Sequence, residues 1–332
     1  MSIHIRGSVE FEKILSEQWQ PSIEMTRTRM AVQQLLDTRE SPTNLEKRLK
    51  EYIAKTDTLI DHLAKQGCQT LTEHPIFEWS VEDAIIRTPC WRIESILPRY
   101  TLATLVVDQA FDQVQEHNYK GARNKFLHAV SLHTECAQHL ARWPWKLPSL
   151  NQDVLQNKWH LSQIELYTGM STLCMLCAGI HNNTKSSALF TVAQRSLRNF
   201  SRSLATWPSK QGQKLMNIAE AMRYFSSADM MWSAGLYGQS IRRLERWKTD
   251  VEFGPFEILK DEWAKLPLLL KERHIANNGA YFETVTDGAP LCSPVELINT
   301  SEASDIPHPP MTPEWGVVHE DESVPTELLE NQ

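Results

Sequence analysis

Few residues in this chain stand at spacings that could do chemistry. Cys174-Met175-Leu176-Cys177 is a C-x-x-C pair, the spacing of half a zinc site or of a redox dithiol. No second C-x-x-C or H-x-x-x-H follows at zinc-finger distance, and Leu173, Met175, Leu176 and Ala178 around the pair belong to a buried helix, so both thiols read as core cysteines. His128, His133 and His139 share one helical stretch, but His133 is displaced from the face of the other two, and the three read as partly exposed helix histidines. Glu82 and Asp83 are adjacent and diverge on a helix, where they complement the dipole of a first turn. Arg195, Arg198 and Arg202 stand at i, i+3 and i+7 and share a face. A phosphopeptide reader needs such a row beside a tyrosine, and a solvated helix face has the same pattern. No nucleophile with a base and no paired carboxylates appear, so the chain is expected to be non-enzymatic, with no cofactor and no metal.

Composition narrows the class further. The chain has 332 residues and only 12 glycines, about half the usual ~7%. No G-x-G, G-x-x-x-x-G-K or G-x-S-x-G occurs, which argues against dinucleotide, P-loop and α/β-hydrolase folds. A net charge of −7 argues against nucleic acid as a partner. Neither a secretory leader nor a membrane-spanning run is evident, and the six cysteines (Cys68, Cys90, Cys136, Cys174, Cys177, Cys292) are too sparse for a disulfide framework. The chain is therefore expected to be cytoplasmic.

The elements that must position these residues are helices. Apolar residues at helical spacing mark an antiparallel pair over 24–65, broken at Ser41-Pro42-Thr43-Asn44, and a central apolar helix over 90–114. Further helices follow over 122–143, 153–180, 187–207, 213–236, 240–251 and, as one long helix, 258–277. The stretch 73–89 reads as a short helix or loop, and residues 1–40 as mostly helical. Tyr119-Lys120-Gly121 and Tyr237-Gly238-Gln239 each put an aromatic and a small residue at a turn between helices, the habit of tetratricopeptide-like solenoids. After 278 the prolines multiply. Residues 278–310 are expected to be an extended strap and 311–332 a disordered acidic tail, with 1–310 a single domain. The fold class expected is all-α, an elongated tetratricopeptide-like array, boomerang in shape.

The order of these segments resembles the Bro-one domain of ALIX-type proteins. Phe77-Glu78-Trp79-Ser80 before the central helix is similar to that family's F-x-W segment. Ala122-Arg123-Asn124-Lys125-Phe126-Leu127-His128-Ala129-Val130 resembles its A-x-x-x-F-x-x-A-A-G helix. Met216 to Leu236 followed by Gln239-Ser240-Ile241-Arg242-Arg243-Leu244 is similar to its late hairpin, and Ala276-Asn277-Asn278-Gly279-Ala280-Tyr281-Phe282-Glu283-Thr284-Val285 to the end of its last long helix. The resemblance spans roughly 45–310. The family opens with a β-hairpin and extra helices, and residues 1–40 read as too short and too helical to supply them all.

What the resemblance implies is a stand-alone adaptor of the endosomal sorting and membrane-remodelling (ESCRT) machinery, receiving the C-terminal amphipathic helix of an ESCRT-III subunit. The patch it implies falls on Leu161, Ile164, Leu166 and Thr168 of the helix after 153, and on Met222, Phe225 and Met230 of the helix over 216–232. Association with endosomal membranes would be peripheral and through partners, since Glu330-Asn331-Gln332 offers no prenylated cysteine. The alternative is a tetratricopeptide- or 14-3-3-like peptide-binding scaffold that uses Arg195, Arg198 and Arg202.

Overall fold

A computed structural model describes residues 3–6, 9, 11, 22–38, 42–65, 77–81, 84–88, 90–141, 153–245, 251–281 and 283–285. The strap beyond 285, the acidic tail, the turn at Trp143-Pro144-Trp145 and Cys68 and Cys292 lie outside them. The described elements are β1 (Ile3–Arg6), α1 (Ser22–Thr38), α2 (Pro42–Lys65), β2 (Phe77–Val81), β3 (Ala84–Thr88), α3 (Ile93–Gln115), α4 (Tyr119–Ala141), α5 (Asn157–His181), α6 (Ser186–Thr206), α7 (Lys210–Ser233), α8 (Tyr237–Glu245), α9 (Glu257–Ala264) and α10 (Leu266–Ala276). A 3₁₀ turn (Asp153–Leu155) precedes α5 and a π-helical turn (Asn277–Tyr281) ends α10. The chain is an all-α helical array that carries one small sheet among the described residues. It divides into two compact units, residues 1–102 with 135–157, and residues 103–134 with 158–303.

The first unit holds the main departure from the sequence reading. Residues 77–81 and 84–88 are antiparallel strands, with Glu82 and Asp83 outside the described residues, and β1 from the first residues joins them, giving an antiparallel sheet in the order β1-β2-β3. Ile5 stands opposite Trp79, and Trp79 opposite Ile86. The reason lies in period-2 alternation: Ile3 and Ile5, Phe77 and Trp79, and Ile86 and Thr88 all turn inward, while His4, Glu78 and Arg87 turn outward. Phe77 meets Trp91 edge-on at 4.9 Å, and Phe11 completes that cluster.

Behind the sheet stand two buried ionic hubs. Glu94, fully buried at the start of α3, accepts hydrogen bonds from Trp79 Nε1 (2.7 Å), Arg29 Nε (3.3 Å) and the Tyr52 hydroxyl. The second hub is Arg99, which donates to Asp57, to Glu135 (2.8 Å) and to the Ser95 carbonyl (2.9 Å). These bonds tie α1, α2, α3, α4 and β2 together through side chains taken out of water, which demands that every charge be paired.

In the second unit consecutive helices from the C-terminal half of α3 to α8 pair antiparallel. Phe111 packs edge-on to Phe126, and Phe126 stacks with Tyr167. His133 is not partly exposed, as its sequence context suggested: it is buried, and its Nδ1 lies 2.9 Å from Nδ1 of His160. Burial first, and the neighbouring His160 second, hold its imidazole well below the usual histidine range. The long helix expected over 258–277 is two helices, because Pro267 at the start of α10 cannot extend α9 through it.

Arg273 of α10 is buried, bonded to Asp229 and to Ser240 (2.7 Å), with its guanidinium over the Trp232 ring. Beyond α10 the chain crosses the first turn of α8. Glu283 accepts from the Gly238 amide (2.9 Å), and a Cβ at residue 238 would stand 2.1 Å from the Thr284 carbonyl oxygen, so only glycine lets the chain pass.

A candidate partner-binding face on α5 and α6

α5 and α6 approach closely because small residues line their seam. The Ser162 and Ser203 hydroxyls meet at 2.9 Å, and Ser196 donates to the Gly169 carbonyl at 2.9 Å. A Cβ on Gly169 would lie 2.5 Å from the Phe200 ring. These contacts set the register of the antiparallel pair: residue 162 stands beside 203, and 169 beside 196 and 200.

With that seam fixed, helical geometry decides which side chains remain outside. At about 100° per residue, Leu161, Ile164, Glu165 and Thr168 fall within one arc of roughly 100° on α5. Leu161 is 46% exposed, and Ile164, Glu165 and Thr168 are half-buried. Thr168 turns its hydroxyl back onto the Ile164 carbonyl (2.7 Å), which leaves its methyl as the outward group. Leu166, named with them from the sequence, points the other way and is 3% exposed.

The α7 half of the expected patch is mostly interior. Met222 is 1% exposed, and Phe225 sits in a small core with Ala228 and Leu244, against which Trp263, Leu266, Leu269 and Leu270 pack. Both side chains are occupied by packing against their own unit and are not surface contacts, which corrects their place in the patch. Met230 is half-buried. The physical reason is periodicity: apolar residues on α7 serve the core made with α8, α9 and α10, and the sequence does not distinguish that stripe from an outward one.

Arg195, Arg198 and Arg202 lie on α6, with Arg198 and Arg202 exposed and Arg195 half-buried. Arg202 Nη1 is 3.8 Å from Glu165 Oε1, and this ion pair joins the arginine row to the α5 face. Half-burial raises the Glu165 carboxyl above its ordinary value, opposed by Arg202. Of the apolar patch drawn from the sequence, Leu161, Ile164 and Thr168 form a strip on α5, and the arginine row of α6 lies alongside it.

The C-x-x-C pair lies elsewhere on α5. Cys174 and Cys177 are both fully buried; desolvation pushes the Cys174 thiol up to about 12 and that of Cys177 well above its usual range. Burial thus favours the protonated thiol at both positions. No group of three or more potential metal ligands occurs among the described residues, and no described helix is long and apolar enough to cross a membrane.

The fold is a helical array, and α5 and α6 present a mixed apolar and basic face. Among solved structures the chain is similar to one described as "ALIX BRO1 CHMP4C complex", with a TM-score of 0.68 over 92% of this chain and 95% of that one at 11% identity. It is similar to ALIX in complex with the SIVmac239 PYKEVTEDL late domain, with a TM-score of 0.64 at 12% identity, covering 92% of this chain and 50% of that one. A third, "Structure basis for endosomal targeting by the Bro1 domain", aligns with a TM-score of 0.60 at 12% identity over 92% and 90% of the two chains. No family model matches the sequence, and no curated protein matches it. The chain therefore has the fold of a Bro1 domain.

Proposed function

We propose that this protein is a non-enzymatic adaptor of the ESCRT machinery that receives the C-terminal amphipathic helix of an ESCRT-III subunit on the α5 face. The observation that carries the reading is the outward strip of Leu161, Ile164 and Thr168 on a Bro1 fold. A 46% exposed leucine beside two half-buried side chains on one helix offers i, i+3, i+7 contacts to the apolar stripe of a second helix. The solved neighbour that includes CHMP4C supports a partner of this kind. The protein would be cytoplasmic and reach endosomal membranes through that partner.

The test is titration of the full chain with a fluorescent peptide of an ESCRT-III C-terminal helix. Saturable binding that Leu161→Asp weakens at least about tenfold, with Leu161→Met close to wild type, is the expected result. Absence of saturable binding, or equal binding by Leu161→Asp, refutes the assignment.

A further inference from the structure

We infer that this face selects its partner by charge as well as by apolar contact: its occupant is an amphipathic helix with a row of Asp or Glu beside its apolar stripe, set against Arg195, Arg198 and Arg202. The inference rests on the α5 face being the binding site.

Its basis is the register between the two helices. Ser162 stands opposite Ser203, and Gly169 opposite Ser196 and Phe200, so α5 and α6 run antiparallel side by side. Arg202 therefore lies next to the Leu161 end of the strip and Arg195 next to the Thr168 end. Both rows have the same i, i+3, i+7 spacing and the same length, roughly 10 Å. The Arg202 side chain is 57% exposed, and its contact with Glu165 is a loose one at 3.8 Å. Over its whole length Ser186–Thr206, α6 carries three arginines and no acid. Glu165 is the acidic residue facing the row from α5, and its 29% side-chain exposure places it between the apolar strip and the arginines. A partner helix lying along the strip brings one of its edges over the arginine row, where acidic side chains gain Coulomb energy and basic ones lose it.

At a middle value of about threefold in affinity per exposed ion pair, two or three acids in register give about tenfold or more. The experiment uses the full chain and two fluorescent designed helices of identical apolar stripe, one flanked by glutamates and one by lysines. The glutamate helix is expected to bind at least about tenfold tighter at low salt, with the advantage shrinking as salt is raised. Arg198→Glu combined with Arg202→Gln is expected to abolish or reverse that preference while leaving the urea midpoint of the protein near wild type. Equal affinity for the two helices at low salt, or an unchanged ratio in the variant, overturns the inference and leaves the apolar site standing. Failure of both helices to bind overturns the site as well. A phosphorylated peptide without an apolar stripe that binds as tightly as the glutamate helix also overturns it, in favour of a phosphate-reading row.

Discussion

Replacing Glu94 with glutamine tests how the first unit is held together. The side chain is fully buried and accepts from four donors, Trp79 Nε1 at 2.7 Å, Arg29 Nε at 3.3 Å, Arg29 Nη2 at 3.4 Å and the Tyr52 hydroxyl. Glutamine keeps the shape, removes the charge and turns one oxygen into a donor facing donors. It removes the negative charge that Glu94 sets against the guanidinium of Arg29, whose side chain is 2% exposed. Breaking a buried pair from one side costs about 3–5 kcal/mol, so Glu94→Gln should move the urea midpoint down by roughly 1 M. Trp79→Phe removes one donor from a carboxylate that keeps three and should cost about 2 kcal/mol. Adding Arg29→Met to Glu94→Gln removes the opposing charge as well. That double variant should therefore be more stable than Glu94→Gln alone, a strong departure from additivity. Urea denaturation followed by tryptophan fluorescence reads these variants together with Arg29→Met alone and wild type. A Glu94→Gln variant within about 1 kcal/mol of wild type, or a double variant equal to the sum of the singles, would refute the hub as a paired buried charge.

Two further outcomes follow from the second unit. Gly169→Ala gains about 1 kcal/mol of helix propensity, yet its methyl would stand 2.5 Å from the buried Phe200 ring, so net destabilisation is expected, and Phe200→Leu in the same chain should recover most of it. Thermal melts of the two variants against wild type decide the matter, and a stabilised single variant contradicts the tight seam. His133 titrates well below the usual range because it is buried beside His160. Above about pH 6.5 it is neutral folded and unfolded and contributes nothing; below that the unfolded chain takes up a proton that the folded chain refuses. Stability should therefore fall as the pH drops from 6.5, and His133→Asn should flatten that slope, which urea midpoints at pH 7 and pH 5 will show.

Much of the helical skeleton was legible because burial of a helix writes a 3.6-residue period into the chain. The helix starts at Pro42 and Tyr119 fall within a few residues of where the turn residues placed them. The sheet escaped because its strands are four or five residues long and Ile3 to Arg6 pairs across more than seventy residues with Phe77 to Val81. So short an alternation reads equally as loop, and no local signal announces a distant partner. Glu94 and Arg99 could not be recognised as hubs either, since their partners arrive from α1, α2, α4 and β2.

The candidate face divides along the same line. That α5 carries apolar residues on more than one side, and that α6 carries three arginines on one, are properties of the residues alone. Which of those apolar residues face outward was decided by packing: the seam through Ser162 and Gly169 leaves Leu161 outside, while Leu166 is buried within the array and Met222 and Phe225 are taken into the cores of their own unit. The sequence alone determined the helices and their apolar stripes, because periodicity is a local property of the chain. Only the tertiary structure decided which stripes are core and which are surface, and that Leu161 and Arg202 share a face, because burial depends on which elements come to lie against one another.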